Sequence, residues 1–288
     1  MTRVKLARVG LRGAVEVRRR ASISRDEPVC VYDLAESLGV EVWFVGGSSF
    51  AGMYPKGYGR LFVPSERPAG RKAFTCAHEF AHWYFGHGSR VEEMDFDRSD
   101  QSNPEEVLAN TFASYLLMPR HAVATAFGRR NVEACTADAI DVYSVACQLG
   151  VGYATLLQHM RWSLNVISLA RLTDLLAIPP KEIRRAVLGR STAGYMVLAG
   201  LEWRTVAIDL EVGDTAVLPN RVRLNGRSAE IIDQCLYGTV IEGTRTGLTQ
   251  ALLPVDDGWS AVIRVSRRQY TGRGAYRHLE DPDENEPI

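Results

Sequence analysis

Apolar positions along this chain follow two regimes. Up to about residue 188 they recur at helical spacing. From Gly194 onward they come as short β-branched or alternating runs, broken by Gly, Asp, Asn and Pro. In the first regime, residues 6–20 predict a short basic helix with Arg18, Arg19 and Arg20 on its solvent side. Val31, Leu34, Ala35 and Leu38 repeat at helical spacing and Gly39 closes the segment, so residues 28–39 predict a second helix. The β-branched and aromatic run 40–45 predicts a strand, and a Gly-rich turn follows at 46–49. Residues 52–59 hold three Gly and a Pro, and 60–64 predict a second strand, the two strands pairing as a small antiparallel sheet.

Residues 71–86 carry a strongly patterned helix, and a charged, loop-like stretch follows at 92–101. The next helix, 103–119, has clear start signals. Ser102 or Asn103 is placed to cap it, Pro104 stands in the first turn, and Glu105 and Glu106 sit at its positive end. Residues 141–149 and 153–162 predict two short helices around Gly150-Val151-Gly152, the outline of a helix-turn-helix. Residues 175–188 predict helix broken by Pro179-Pro180. Strand-like runs then follow at 195–198, 205–208, 215–218, 238–241 and 260–265. The expected fold class is therefore α+β. A mainly helical domain with a small antiparallel sheet covers 1–169, a β-rich domain 170–278, and an acidic tail, expected to be disordered, 279–288.

Composition narrows the function. Hydrophobic residues make up 46% and charged residues 24%, which fits a globular chain. Lys+Arg and Asp+Glu stand at 34 each, a balance that counts against a chain built to coat nucleic acid or an anionic membrane. Only Lys5, Lys56, Lys72 and Lys181 among the basic residues are Lys, so the abundance of Arg reads as coding bias rather than phosphate recognition. The five cysteines are odd in number and form no CxxC, which points to reduced thiols. No stretch approaches the roughly 20 apolar residues of a membrane span, and the basic N-terminal segment lacks a signal-length apolar run. The expectation is a soluble cytoplasmic protein with no membrane partner.

The chemistry concentrates at residues 78–106. His78-Glu79-Phe80-Ala81-His82 is HExxH. On a helix its two imidazoles lie one turn apart on one face and can reach one small cation, while Glu79 points beside the metal, where it can accept a proton from water. Phe74, Ala77, Phe80, Ala81, Tyr84 and Phe85 make the helix apolar, and polar groups embedded there need partners. A catalytic zinc site takes a third protein ligand. His87 falls one residue short of the spacing in HExxHxxGxxH, so it is expected to end the helix or to support a ligand. The better candidates are the carboxylates that open the next helix, Glu106 and, as alternative, Glu105. The helix pair at 141–161 carries few side chains suited to reading bases, so direct nucleic-acid binding is not expected of it.

Two stretches together carry a family resemblance. Phe74-Thr75-Cys76-Ala77-His78-Glu79-Phe80-Ala81-His82-Trp83-Tyr84-Phe85-Gly86-His87, followed by Glu106-Val107-Leu108-Ala109-Asn110-Thr111-Phe112-Ala113-Ser114-Tyr115-Leu116-Leu117-Met118-Pro119, resembles the ImmA/IrrE metallopeptidases. That family pairs HExxH with a downstream E-x-E-A-N-x-F-A-x-x-L-L-M-P helix. The likeness covers roughly the first 165 residues and implies a zincin-like fold. It matches His78 and His82 to the metal ligands, Glu79 to the catalytic base and Glu106 to the first Glu of the second motif. Leu108 departs from the pattern, standing where the family usually has its second Glu. The resemblance further implies a cytoplasmic zinc peptidase that cleaves a protein partner, often a helix-turn-helix repressor. Tyr115, His159 and Arg161 are candidate oxyanion donors. Two other readings stay open: a zinc-stabilised DNA-binding regulator without catalysis, and a toxin–antitoxin or phage-defence component acting by complex formation.

Overall fold

The structure is a computed structural model that describes residues 2–47, 50–55, 57–88, 90–93, 103–192, 194–203, 206–253 and 258–279. Most of the charged stretch expected as a loop, and all of the acidic tail beyond residue 279, lie outside the described residues. The chain divides into two compact units, Met1–Ile183 with Thr271–Ala275, and Arg184–Tyr270 with Tyr276–Ile288. Among the described residues no single helix is long and apolar enough to cross a membrane.

The first unit begins with α1 (Arg3–Arg20) and α2 (Val31–Ser37). Three strands follow: β1 (Glu41–Val45), β2 (Phe50–Tyr54) and β3 (Arg60–Pro64). Next come α3 (Ala69–Phe85), β4 (Arg90–Glu93) and α4 (Pro104–Leu117). The helices α5 (Arg120–Gly128), α6 (Ala139–Gln148), α7 (Tyr153–Trp162) and α8 (Leu169–Leu176) complete most of it. The division between the units falls within α9 (Pro180–Leu188).

Two expectations need correction here. First, β1 and β3 pair parallel, not antiparallel, with Val42 opposite Leu61 and Phe44 opposite Val63. The physical reason is an extra strand. Directly after the turn expected at 46–49, and overlapping the Gly- and Pro-containing stretch 52–59, comes β2, which runs antiparallel to β3, so the chain reverses twice between β1 and β3. Second, Arg18 is not on the solvent side of α1. It is 3% exposed, and its guanidinium donates to the carbonyl oxygens of Leu116 (2.8 Å), Ser24 (2.6 Å) and Glu27. Burial pulls its pKa down to about 10, which leaves it charged at neutral pH. Arg19 and Arg20 behave as expected and pair with Glu16 at the surface.

In the five-stranded sheet the order is β13-β1-β3-β2-β4, where β13 (Gly272–Arg273) returns from the far end of the chain and pairs antiparallel with β1. Arg273 anchors it through Glu36 on α2 (2.8 Å). Against the sheet lies α3, whose buried face includes Ala73, Cys76, Ala77, Phe80 and Ala81. Phe112 of α4 meets Phe80, Tyr84 and Phe85 of α3 with ring centroids 6.0, 5.5 and 5.7 Å apart, fixing the two helices side by side. Asn103 caps α4, its side chain accepting from the Glu105 backbone N–H at 3.0 Å. A bend of 99° separates α6 from α7, and both bury apolar faces, with Val142, Val145, Leu156 and Met160 fully enclosed.

The second unit is built from two four-stranded sheets. One has β5 (Met196–Leu198), β7 (Thr215–Leu218), β10 (Gly238–Gly243) and β9 (Ala229–Cys235) in that order. The other has β6 (Ile208–Glu211), β12 (Ser260–Ser266), β11 (Gly247–Leu252) and β8 (Arg223–Gly226). Ile208, Leu210, Val217, Leu218, Ala251 and Ile263 are fully buried among these strands. The unit also contains a tight ionic cluster. Burial alone would raise the Asp209 pKa, but Arg277 and Arg264 override it and hold the carboxyl at about 2.

Candidate metal centre

HExxH falls in the last half of α3, where the helix is enclosed on most sides. His78, Glu79 and His82 are 5%, 3% and 5% exposed. One turn apart on one face, His78 and His82 bring their Nε2 atoms to 3.0 Å. Glu106, in the first turn of α4, reaches across with Oε2 at 3.2 Å from His78 Nε2 and Oε1 at 3.6 Å from His82 Nε2. All three donors thus lie within 4.8 Å of one another.

That donor set fits a small divalent cation. Two ligand atoms about 2.0–2.2 Å from a tetrahedral zinc lie about 3.3–3.6 Å from each other. The observed separations of 3.0, 3.2 and 3.6 Å match this to within a few tenths of an ångström. Two imidazoles and one carboxylate are also a ligand set of catalytic zinc, with one position left for water or substrate.

The surrounding hydrogen bonds set the tautomers. Asn110, one turn beyond Glu106 on α4, accepts from His78 Nδ1–H at 3.1 Å, which leaves the Nε2 lone pair facing the other two donors. His87 pairs with His82 through the two Nδ1 atoms, 2.8 Å apart, and with His82 Nδ1 as the donor the His82 Nε2 lone pair is likewise left for the cluster. Its reach depends on Gly86, whose left-handed backbone (φ 69°) ends α3 and folds the chain back so that His87 N–H bonds the His82 carbonyl at 3.0 Å. His87 thus contacts His82 and lies outside the three-residue cluster of candidate donors.

The remaining residues singled out from the sequence sit as follows. Glu105 is next to Glu106, with its backbone N–H committed to the Asn103 cap, and only Glu106 joins the two histidines. Tyr115 donates to the Ser163 carbonyl at 3.3 Å, His159 Nε2–H to the Met118 carbonyl at 2.9 Å, and Arg161 to Asn165 Oδ1 at 2.6 Å. Each of the three candidate oxyanion donors thus makes a hydrogen bond to another part of the first unit. Sequence reasoning missed Gly52 of β2, which lies against Glu79; one Gly among several in a Gly-rich stretch gave no signal of its own.

The model of the IrrE N-terminal-like domain, of the M78 peptidases, matches residues 35–159. Residues 35–159 are an IrrE N-terminal-like domain. The match spans β1, α3 and α4, so it encloses the whole His78–His82–Glu106 cluster, and the ImmA/IrrE resemblance of those helices holds. The domain is that of a metallopeptidase family. No curated protein matches the chain.

Proposed function

We propose that this protein is a zinc-dependent endopeptidase of the cytoplasm that cleaves a specific protein, a helix-turn-helix transcriptional repressor, and so controls gene expression. The observation that carries the reading is the convergence of His78, His82 and Glu106, with Glu79 on the turn between the histidines. In this reading His78, His82 and Glu106 hold the metal, and Asn110 and His87 keep the two imidazoles turned toward it. Zinc, when bound there, supplies a Lewis acid that polarises the scissile carbonyl and lowers the pKa of water. Glu79 takes the proton of the attacking water onto its carboxylate and returns it to the departing amine. The low exposure of Glu79 keeps bulk water from competing for that proton. The β-rich second unit brings none of these residues, and its proposed role is to sense a signal or hold the partner.

A DNA-binding role for α6 and α7 gains no support from their side chains. Gln158 accepts from Trp162 Nε1–H at 2.7 Å, and Arg161 is held by Asn165 and stacked over Trp162 at 4.8 Å. The test is incubation of the zinc-loaded protein with the repressor from a neighbouring reading frame. A single cut that a chelator abolishes is expected. An intact repressor, together with salt-sensitive retardation of DNA by this protein alone, would favour the regulator without catalysis.

A further inference from the structure

Resting on the peptidase reading, we infer that Gly52 is a positioning residue for Glu79: the missing side chain on β2 is the seat of the Glu79 carboxylate. Gly52 is buried and lies where the pairing of β2 with β4 shifts register, between Phe50 and Gly52. Such a shift turns a strand locally, and here it brings the backbone against α3. A Cβ built at Gly52 would stand 2.6 Å from Glu79 Oε1, 3.1 Å from Glu79 Cδ and 2.7 Å from Thr75 Cγ2. Thr75 and Glu79 are i and i+4 on the same face of α3, and they are both 3% exposed.

The two neighbours differ in how they can yield. Thr75 is β-branched and stiff at χ1 within a helix, so its methyl has little room to rotate away. Glu79 has three side-chain torsions, and its carboxylate is the part that gives. A methyl at position 52 therefore displaces the group that must meet the water, while the histidines and Glu106, which approach from α3 and α4, keep their places. Displacement of a catalytic group by about 1 Å costs about 100-fold in rate. The swing of Glu79 relieves its own overlap, while the overlap with the Thr75 methyl remains and costs the fold separately. Modest loss of stability with large loss of turnover is the signature of a positioning role and not of simple core packing.

The experiment compares wild type, Gly52→Ala, Glu79→Ala and the double variant, all full-length and loaded with zinc. Zinc content and thermal midpoint are measured on all four. Hydrolysis of the cleaved repressor is measured on wild type and Gly52→Ala. Expected are equal zinc in all four and a kcat for Gly52→Ala lowered about 100-fold with KM within about threefold. The midpoint should fall by about 2–4 °C on Gly52→Ala in the wild-type background and by a smaller amount in the Glu79→Ala background, where the carboxylate is gone and only the overlap with Thr75 remains. Equal midpoint shifts in the two backgrounds, or wild-type kcat in zinc-loaded Gly52→Ala, overturns the inference. Should wild type itself cleave nothing, the peptidase reading fails, and the four midpoints still decide whether Gly52 seats Glu79.

Discussion

Replacing Asn110 by Leu removes one acceptor and changes little else in volume, so it isolates the support of a single metal ligand. Asn110 Oδ1 lies 3.1 Å from His78 Nδ1 and fixes the proton there, leaving Nε2 as a lone pair 3.2 Å from Glu106 and 3.0 Å from His82. Without that acceptor the imidazole is free to flip or to place its proton on Nε2, where it cannot bind metal. Loss of such a supporting bond typically weakens metal binding by about 10–100-fold, which is about 1.4–2.8 kcal/mol. Asn110→Asp is the matched control, because a carboxylate keeps the acceptor and raises the basicity of the ring. Zinc affinity is measured by competition with a chromophoric chelator at fixed pH. The expected order is Asp at least equal to wild type, and Leu weaker by at least tenfold. Unchanged affinity in Asn110→Leu, or an Asp variant as weak as the Leu variant, refutes the reasoning.

Further expectations follow from other parts of the chain. Glu106→Ala is expected to lose zinc, while Glu105→Ala retains it at a cost of at most about 1 kcal/mol in stability; metal analysis of both proteins separates them. Arg18→Leu strips a donor from the carbonyls of Leu116, Ser24 and Glu27, and is expected to destabilise the first unit by about 2–4 kcal/mol in denaturant unfolding. Burial holds the pKa of His159 down at about 4, so the folded protein keeps this ring neutral where the unfolded chain would protonate it. Stability from this group is therefore complete above the unfolded value of about 6.5 and declines as pH falls to about 4, by about 3 kcal/mol. His159→Leu should flatten that limb of the stability–pH curve, and an unchanged slope would contradict the assignment.

Legibility in the sequence varied with the periodicity of each element. The α3 and α4 helices were plain because apolar residues recur at helical spacing around HExxH, and Asn103-Pro104-Glu105-Glu106 is a strong start signal. The meeting of Glu106 with His78 and His82 could only be expected, since it depends on how Phe112 packs against Phe80, Tyr84 and Phe85 across the two helices. Strand β2 was hidden because Gly52 and its Gly and Pro neighbours carry turn chemistry, and without it β1 and β3 looked like a hairpin. Arg18 read as solvated because local pattern does not reveal that Leu116 lies across from it; ninety-eight residues separate the two. In the second unit β9 escaped notice for another reason. Glu230 to Gln234 are exposed, so the strand lacks buried alternation; β8 and β11 also lie outside the expected strands, although β11 does alternate between buried and exposed positions.

The central claim is that His78, His82 and Glu106 hold the metal while Glu79 moves the proton. Paired measurement of bound zinc and repressor cleavage in Glu79→Gln tests it most directly. Glutamine keeps the shape of the side chain and gives up its basicity, so the account predicts wild-type zinc content with cleavage reduced by at least about 100-fold. Cleavage at the wild-type rate by a zinc-loaded Glu79→Gln protein would contradict it.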